Sequence, residues 1–155
     1  MRYIYALLLA VILTGCATLE PTREYSFETK RSIAKPYADV MTSLKAWCVT
    51  NGFSIQSAAD GVLLATSDLT AVQGTTANYA DGVAAAKLCA DCGKNPAGMF
   101  VSRSGSLNAV VESTGNNQTT VTLLFTAKPP EGTLSVRCAS TGVVEGLVFS
   151  HLGKE

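Results

Sequence analysis

Cysteine is the residue type in this 155-residue chain whose chemistry depends most on its spacing and neighbours. A thiolate is a nucleophile and a metal ligand, and two thiols can be joined as a disulfide. The five cysteines are Cys16, Cys48, Cys89, Cys92 and Cys138. Cys16 closely follows an apolar run near the N-terminus, whereas the other four lie in the body of the chain. The two groups therefore predict different chemistry.

The first 15 residues have the pattern of an export signal. Arg2 supplies a positive charge, and residues 4–13 form an uncharged and largely apolar run. A membrane-spanning helix needs about 20 apolar residues, whereas the core of a signal peptide has roughly 7–15. The sequence therefore predicts a signal peptide over residues 1–15, in preference to a buried helix of the folded domain.

Leu13-Thr14-Gly15-Cys16 resembles the lipobox of bacterial lipoproteins, in which a leucine and two small residues precede a cysteine. The resemblance implies that the Cys16 sulfur receives a diacylglyceryl group, and that cleavage then makes Cys16 the first residue of the mature chain. Burial of acyl chain contributes about 0.8 kcal/mol per CH₂, so two or more chains anchor a protein stably. In lipoproteins an aspartate after the cysteine favours the inner membrane. Ala17 therefore implies the periplasmic face of the outer membrane.

The mature chain is expected to consist of a lipidated tether, residues 16–23, and one domain, residues 24–155. This length fits a single domain. Without Arg2, 11 Lys and Arg stand against 12 Asp and Glu, a net charge of about −1. Nucleic-acid binding requires a basic surface, so this balance predicts no nucleic-acid partner.

A strand and a helix are predicted at the start of the domain. Residues 25–33 alternate with a period of two, which is typical of a half-buried strand. The next segment carries an apolar stripe at helical spacing that begins after Pro36 and ends at Asn51-Gly52. The stripe consists of Tyr37, Val40, Met41, Leu44, Trp47 and Cys48. It predicts an amphipathic helix with this stripe facing the core.

Two hairpins follow, separated by an insertion rich in Ala and Gly over residues 68–100. The hairpins pair 53–57 with 62–67 around Asp60-Gly61, and 106–113 with 119–127 around a turn at 115–117. A short helix is predicted over 78–88 within the insertion.

A last strand is predicted around 134–138, followed by a helix capped by Ser140 or Thr141. Val144, Leu147, Val148 and His151 are expected on one face of this helix. The resulting order, β-α-β-β-insertion-β-β-β-α, does not alternate regularly. It predicts an α+β fold, with an antiparallel sheet and two helices on one face.

The four cysteines of the domain predict disulfides, because an exported chain meets an oxidising compartment and their number is even. Cys48 is expected on the core face of the first helix and Cys138 on the inner side of the last strand. We therefore favour a Cys48–Cys138 bond together with a local Cys89–Cys92 bond. The alternative joins Cys89 and Cys92 crosswise to Cys48 and Cys138.

The Cys89-x-x-Cys92 spacing also permits a redox pair or half of a zinc site. A thioredoxin-like pair needs a helix N-terminus to stabilise its thiolate, whereas Gly93 and Pro96 follow this motif. A zinc site of four thiolates would need Cys48 and Cys138 as its second pair. Disulfides are favoured over both, and no metal or cofactor is expected.

Groups suited to acid–base catalysis are sparse. His151 is the only histidine, and it is expected to interact with the end of the last helix. The carboxylates of the domain show no paired spacing, so most are expected to be solvated; those considered are Asp39, Asp60, Asp68, Asp81, Asp91, Glu112 and Glu145. No catalytic residue is predicted, and the chain is expected not to be an enzyme.

The order of elements on a lipid anchor resembles the helix-grip domains of BamC-type outer-membrane lipoproteins. The resemblance is carried by residues 32–52 leading into 53–55, then by 61–66, and the cysteines and the insertion depart from that family. It implies a non-enzymatic interaction or scaffolding module at the cell envelope, with an envelope protein as partner. The alternative is a lipoprotein that binds a small ligand or the cell wall in a groove between helix and sheet, gated by residues 68–100. A thiol-redox or zinc protein using Cys89 and Cys92 is the third hypothesis.

Overall fold

A computed structural model describes residues 24–68, 89–92, 104–115, 117–128 and 138–154. The helices and strands are, in chain order, β1 Lys30–Ile33, α1 Tyr37–Thr50, β2 Phe53–Ala59, β3 Val62–Asp68, β4 Ala90–Asp91, β5 Ser104–Gly115, β6 Gln118–Ala127, β7 Ala139–Ser140 and α2 Val143–Leu152. The predicted signal peptide, the tether, the helix over 78–88 and most of the strand around 134–138 lie outside the described residues.

Five strands form one antiparallel sheet in the order β1-β6-β5-β3-β2, and β4 and β7 form a separate two-stranded ladder. The outer strand β1 has four residues, and the outer strand β2 carries a bulge between Ile55 and Ser57. Both helices pack on one face of the sheet, and their buried side chains share a single core with those of the strands. The predicted α+β fold is therefore confirmed.

Helix α1 agrees with the sequence prediction in its position and its buried face. The Pro36 carbonyl, just before the helix, accepts hydrogen bonds from the amides of Asp39 and Val40 at 3.1 Å each. Gly52 has a φ of 77°, a left-handed conformation that favours glycine and that ends the helix. The predicted stripe is buried except for Tyr37, because that side chain lies in the first turn at the rim of the core.

Both predicted hairpins are present. Asp60 and Gly61 have φ values of 51° and 77°, the two left-handed residues that a type I′ turn requires. Alternation along the second hairpin predicts six inward-facing residues, and all six lie in the core: Leu107, Ala109, Val111, Val121, Leu123 and Phe125. The sheet therefore has one face that packs against the helices and one face that points away from them.

Helix α2 departs from its prediction at its start and on its buried face. Neither Ser140 nor Thr141 caps it; the N-cap is Gly142, with a φ of 84°. Leu147 is predicted on the same face as Val144 and Val148, but it is 50% exposed whereas those two residues and Glu145 are buried. The helix has apolar residues on nearly every side, so periodicity did not determine which side faces the sheet.

The strands run between two ends of the molecule. The hairpin end carries the turns at 60–61 and 115–117. At the other end, called here the disulfide end, β6 stops next to the β4–β7 ladder, since Cys138 Sγ lies 3.8 Å from the Lys128 carbonyl oxygen. Helix α1 leads towards the disulfide end and α2 leads back, so that Lys35 Nζ, before α1, donates to the Lys154 carbonyl, after α2, at 2.5 Å.

The predicted strand over 25–33 is shorter than expected. Only Lys30–Ile33 pairs with β6 as β1, although the Leu123 amide also donates to the Thr29 carbonyl at 2.7 Å. The preceding residues run along the disulfide end, where the Tyr25 hydroxyl donates to Asp91 Oδ2 at 3.0 Å. Contacts with β4 and with the start of α2 thus take the place of strand pairing in the first part of the predicted strand.

Candidate functional site

The face of the sheet opposite the helices presents apolar side chains to solvent. Val62 of β3 lies beside Val110 of β5, and their side chains are 45% and 41% exposed. Leu124 of β6 lies beside Asn108 and is 55% exposed. Side chains alternate along a strand, so the neighbours of these residues point into the core. The open face is defined here as Val62, Leu64, Thr66, Ser106, Asn108, Val110, Thr122, Leu124 and Thr126.

The open face consists of uncharged side chains, and charge begins at its border. Lys30 of β1 lies beside Thr122, and Glu112 follows Val110 on the same side of β5. Nucleic acid and anionic lipid headgroups are bound by clustered cations. An uncharged surface with apolar side chains at its centre is suited instead to another protein surface of the same character.

The described cysteines lie near the disulfide end. Cys92 and Cys138 form a disulfide with an S–S distance of 2.04 Å. It extends the β4–β7 ladder, in which Ala90 faces Ser140 and Asp91 faces Ala139. The bond therefore holds a two-stranded element against the end of the main sheet and joins parts of the chain that are 46 residues apart.

The favoured pairing of Cys48 with Cys138 and of Cys89 with Cys92 is wrong. Cys138 bonds to Cys92 because the β4–β7 ladder places these two residues opposite each other, which is one bond of the crosswise alternative. Cys48 and Cys89 are free thiols buried in the core. The disulfide also occupies two of the four sulfurs that the zinc hypothesis requires.

The two free thiols are in surroundings that disfavour the thiolate. Burial raises the pKa of Cys48 to about 11. Burial and the nearby charge of Glu145 raise the pKa of Cys89. A thiolate is the reactive form of cysteine, so both thiols are expected to be inert at neutral pH.

Glu145 joins helix α2 to the edge of the sheet and is completely buried. Its Oε1 accepts the Phe125 amide at 3.0 Å, and its Oε2 accepts the Ser140 hydroxyl at 2.9 Å. Ser140 Oγ in turn accepts the Gly142 amide at 3.1 Å. Strand β1 begins at Lys30, opposite Thr122, and so does not extend as far as Phe125. The Glu145 carboxyl group therefore takes the place of a strand carbonyl.

The burial of Glu145 was missed by the expectation that most carboxylates are solvated. One signal in the sequence was available, because Glu145 is the only charged residue in the apolar stretch 143–150. A charge in such a stretch is buried only when it has partners. Those partners come from β6 and β7, and residue spacing does not reveal them.

The other candidate residues remain apart from one another. Asp39, Asp60 and Glu112 are exposed, as predicted, and His151 is half-buried in the last turn of α2. Cys16, Asp81 and the side chain of Asp68 lie outside the described residues. Across the described residues, no group of three or more potential ligands is arranged to hold a metal ion.

The alternative hypothesis of a ligand-binding lipoprotein predicts a groove between the helices and the sheet. Leu44 of α1, Phe125 of β6 and Phe149 of α2 are fully buried there and belong to one core cluster. In the described part of the chain, core side chains therefore occupy this interface. No helix in that same part is long and apolar enough to cross a bilayer.

No protein-family model matches the chain, and a comparison with curated proteins finds no significant relative. The geometry of the open face, of the buried thiols and of the disulfide end therefore provides the basis for a functional proposal.

Proposed function

We propose that the chain is a lipid-anchored lipoprotein of the outer membrane that acts, on the periplasmic face, as a non-enzymatic interaction module. In this proposal, acyl chains on Cys16 hold the domain at the membrane, and the open face binds a partner protein. The observation that carries the proposal is the exposure of Val62, Val110 and Leu124 on a sheet whose other face is fully packed.

The exposure of these side chains supports binding because contiguous apolar surface commonly marks an interaction site. The three residues lie on adjacent strands, so they form one surface rather than scattered contacts. The absence of charge on the open face favours a partner protein with an uncharged, partly apolar surface over nucleic acid or anionic lipid.

The state of the cysteines supports a non-enzymatic role. A thiol-redox protein needs an accessible cysteine with a lowered pKa. Here burial raises the pKa of Cys48 to about 11, and burial raises that of Cys89 as well. Cys92, the other member of the Cys-x-x-Cys motif, is held in a disulfide with a cysteine outside the motif.

The test of partner binding replaces residues of the open face with lysine in cells that express the chain. Leu124→Lys places a charge at the centre of the open face, whereas Glu112→Lys places one at its border on another exposed strand position. After crosslinking of intact cells and purification of the chain, Leu124→Lys is expected to lose the covalent complex with the partner. Glu112→Lys is expected to retain it.

Thermal unfolding checks that both variants are folded. Both are expected to be, because substitutions at exposed positions usually change stability by no more than about 0.5 kcal/mol. A complex that persists in Leu124→Lys as strongly as in Glu112→Lys would contradict the role of the open face. The anchor is tested separately by mass spectrometry of the intact chain from its native host. An unmodified Cys16, or a chain that still begins with Met1, would contradict lipidation.

A further inference from the structure

We infer that the disulfide end of the domain rests on the lipid surface and that the open face stands upright beside it. This inference rests on the proposed lipid anchor, and it adds the side of the domain that meets the membrane. It follows from where the N-terminal segment leaves the fold, from the reach of the tether, and from the side chains exposed near that point.

The N-terminal segment is held at the disulfide end by two contacts and to the middle of β6 by a third. The Tyr25 hydroxyl donates to Asp91 Oδ2 of β4 at 3.0 Å. Phe27 lies directly over Gly142, where an added Cβ would be 2.5 Å from the ring carbon Cγ. The Thr29 carbonyl accepts the Leu123 amide. The chain towards Cys16 therefore departs beside the β4–β7 ladder, at the end opposite the two hairpin turns.

The tether is too short to let the domain stand upright on its hairpin end. Glu24 is eight positions after Cys16, and a chain of eight steps spans at most about 29 Å when fully extended. Strand β5 has 12 residues and runs from the disulfide end to the hairpin end, a length of about 40 Å. A lipid on Cys16 therefore excludes a domain that stands upright on its hairpin end, and it favours the disulfide end as the nearer one.

The surface near the disulfide end is suited to a lipid surface. Apolar side chains are exposed at the end of α1 and on the first turns of α2, including Val49 at 67% and Leu147 at 50%. Tyr25 and Val143 are also exposed there, and tyrosine side chains are favoured at membrane interfaces because one end is apolar and the other polar. These apolar groups would add contact to the anchor, so the contact is expected not to require anionic lipid.

The test uses the lipidated full chain, purified from a host that processes it, in vesicles of phosphatidylcholine that contain a tagged lipid. A photoreactive phenylalanine analogue replaces Leu147 in one variant, Val49 in a second and Gln118, exposed at the hairpin end, in the control. Illumination is expected to attach several-fold more tagged lipid at positions 147 and 49 than at 118. The same ratio is expected when phosphatidylglycerol is included.

Equal attachment at the three positions, or more at position 118, would overturn the inference. A ratio that forms only with phosphatidylglycerol would overturn its apolar basis. Failure of the underlying proposal is distinguished by the mass of the chain. An unacylated chain refutes the anchor and, with it, this orientation, whereas an acylated chain that crosslinks through position 118 refutes the orientation alone. Cys16→Ser, which cannot be acylated, gives the background level of attachment.

Discussion

Replacing Glu145 is expected to show how much the link between α2 and β6 contributes to stability. Glu145→Ala removes the acceptors for the Phe125 amide and the Ser140 hydroxyl, and both bonds lie within the fold. A buried group left without a partner costs about 1–3 kcal/mol, and the deleted side chain also leaves a cavity. The expected loss is about 2–4 kcal/mol in the free energy of unfolding, a large part of the stability of a small domain.

A matched series separates the hydrogen bonds from the other effects of substitution. Glu145→Gln keeps one acceptor oxygen for the Phe125 amide and is expected to cost about 1 kcal/mol. Glu112→Ala, at an exposed position, is expected to change stability by less than about 0.5 kcal/mol. Urea unfolding can be followed by fluorescence of Trp47, the only tryptophan, which is buried with its ring 5.5 Å from that of Phe53.

The reasoning would be refuted if Glu145→Ala were no more destabilising than Glu112→Ala. It would also be refuted if Glu145→Gln were as costly as Glu145→Ala, because the retained oxygen would then contribute nothing. The expected order of stability is wild type and Glu112→Ala together, then Glu145→Gln, then Glu145→Ala.

Three further predictions follow from the disulfide, the thiols and the glycines of α2. Replacing both Cys92 and Cys138 by serine opens a loop with a sequence separation of 46, and urea unfolding is expected to show a loss of about 4 kcal/mol in the free energy of unfolding. Adding reductant to that variant is expected to cause no further loss. Burial raises the pKa of Cys48 from 9.0 to about 11, so the unfolded chain loses the Cys48 proton at a lower pH than the folded chain does. The contribution of Cys48 to the free energy of unfolding is therefore expected to be constant below pH 9 and to fall between about pH 9 and 11. A decline of equal size in Cys48→Ala would contradict this. Gly142→Ala is expected to lower the melting temperature, because φ is 84° and the Phe27 ring lies 2.5 Å from the added Cβ. Gly146→Ala, which adds a methyl group to open space within α2, is expected to raise the free energy of unfolding by about 0.5–1 kcal/mol. The reverse order of stability would refute this account.

The elements best predicted from the sequence are those with strong local signals. Helix α1 has a proline before it, a glycine after it and an apolar stripe on one side, and the structure agrees with all three. Asp60-Gly61 identified the first hairpin because few residue pairs adopt two left-handed conformations in succession. Alternation in β5 and β6 also identified the buried residues, and through them the positions that make up most of the open face.

The features that were missed depend on contacts between distant parts of the chain. Cys92 pairs with Cys138 because β4 and β7 form a ladder, and cysteine spacing does not encode that ladder. Glu145 is buried because β1 ends before Phe125 and leaves its amide to be bonded. The buried side of helix α2 was not predicted correctly, because apolar residues lie on nearly every side of this helix. The lipid anchor at Cys16 stays a prediction.

The two outer strands of the sheet also affect how molecules of this protein can be crowded together. An outer strand with a long row of unpaired amides and carbonyls can join that of a neighbour and start a continuous intermolecular sheet. Here β1 has only four residues, and beyond it the Phe125 amide of β6 is already bonded to Glu145. At the other edge, the bulge in β2 interrupts the row of unpaired amides and carbonyls. In the proposed membrane-anchored state, neighbouring copies share a two-dimensional layer and meet often, so blunted sheet edges would keep them from polymerising.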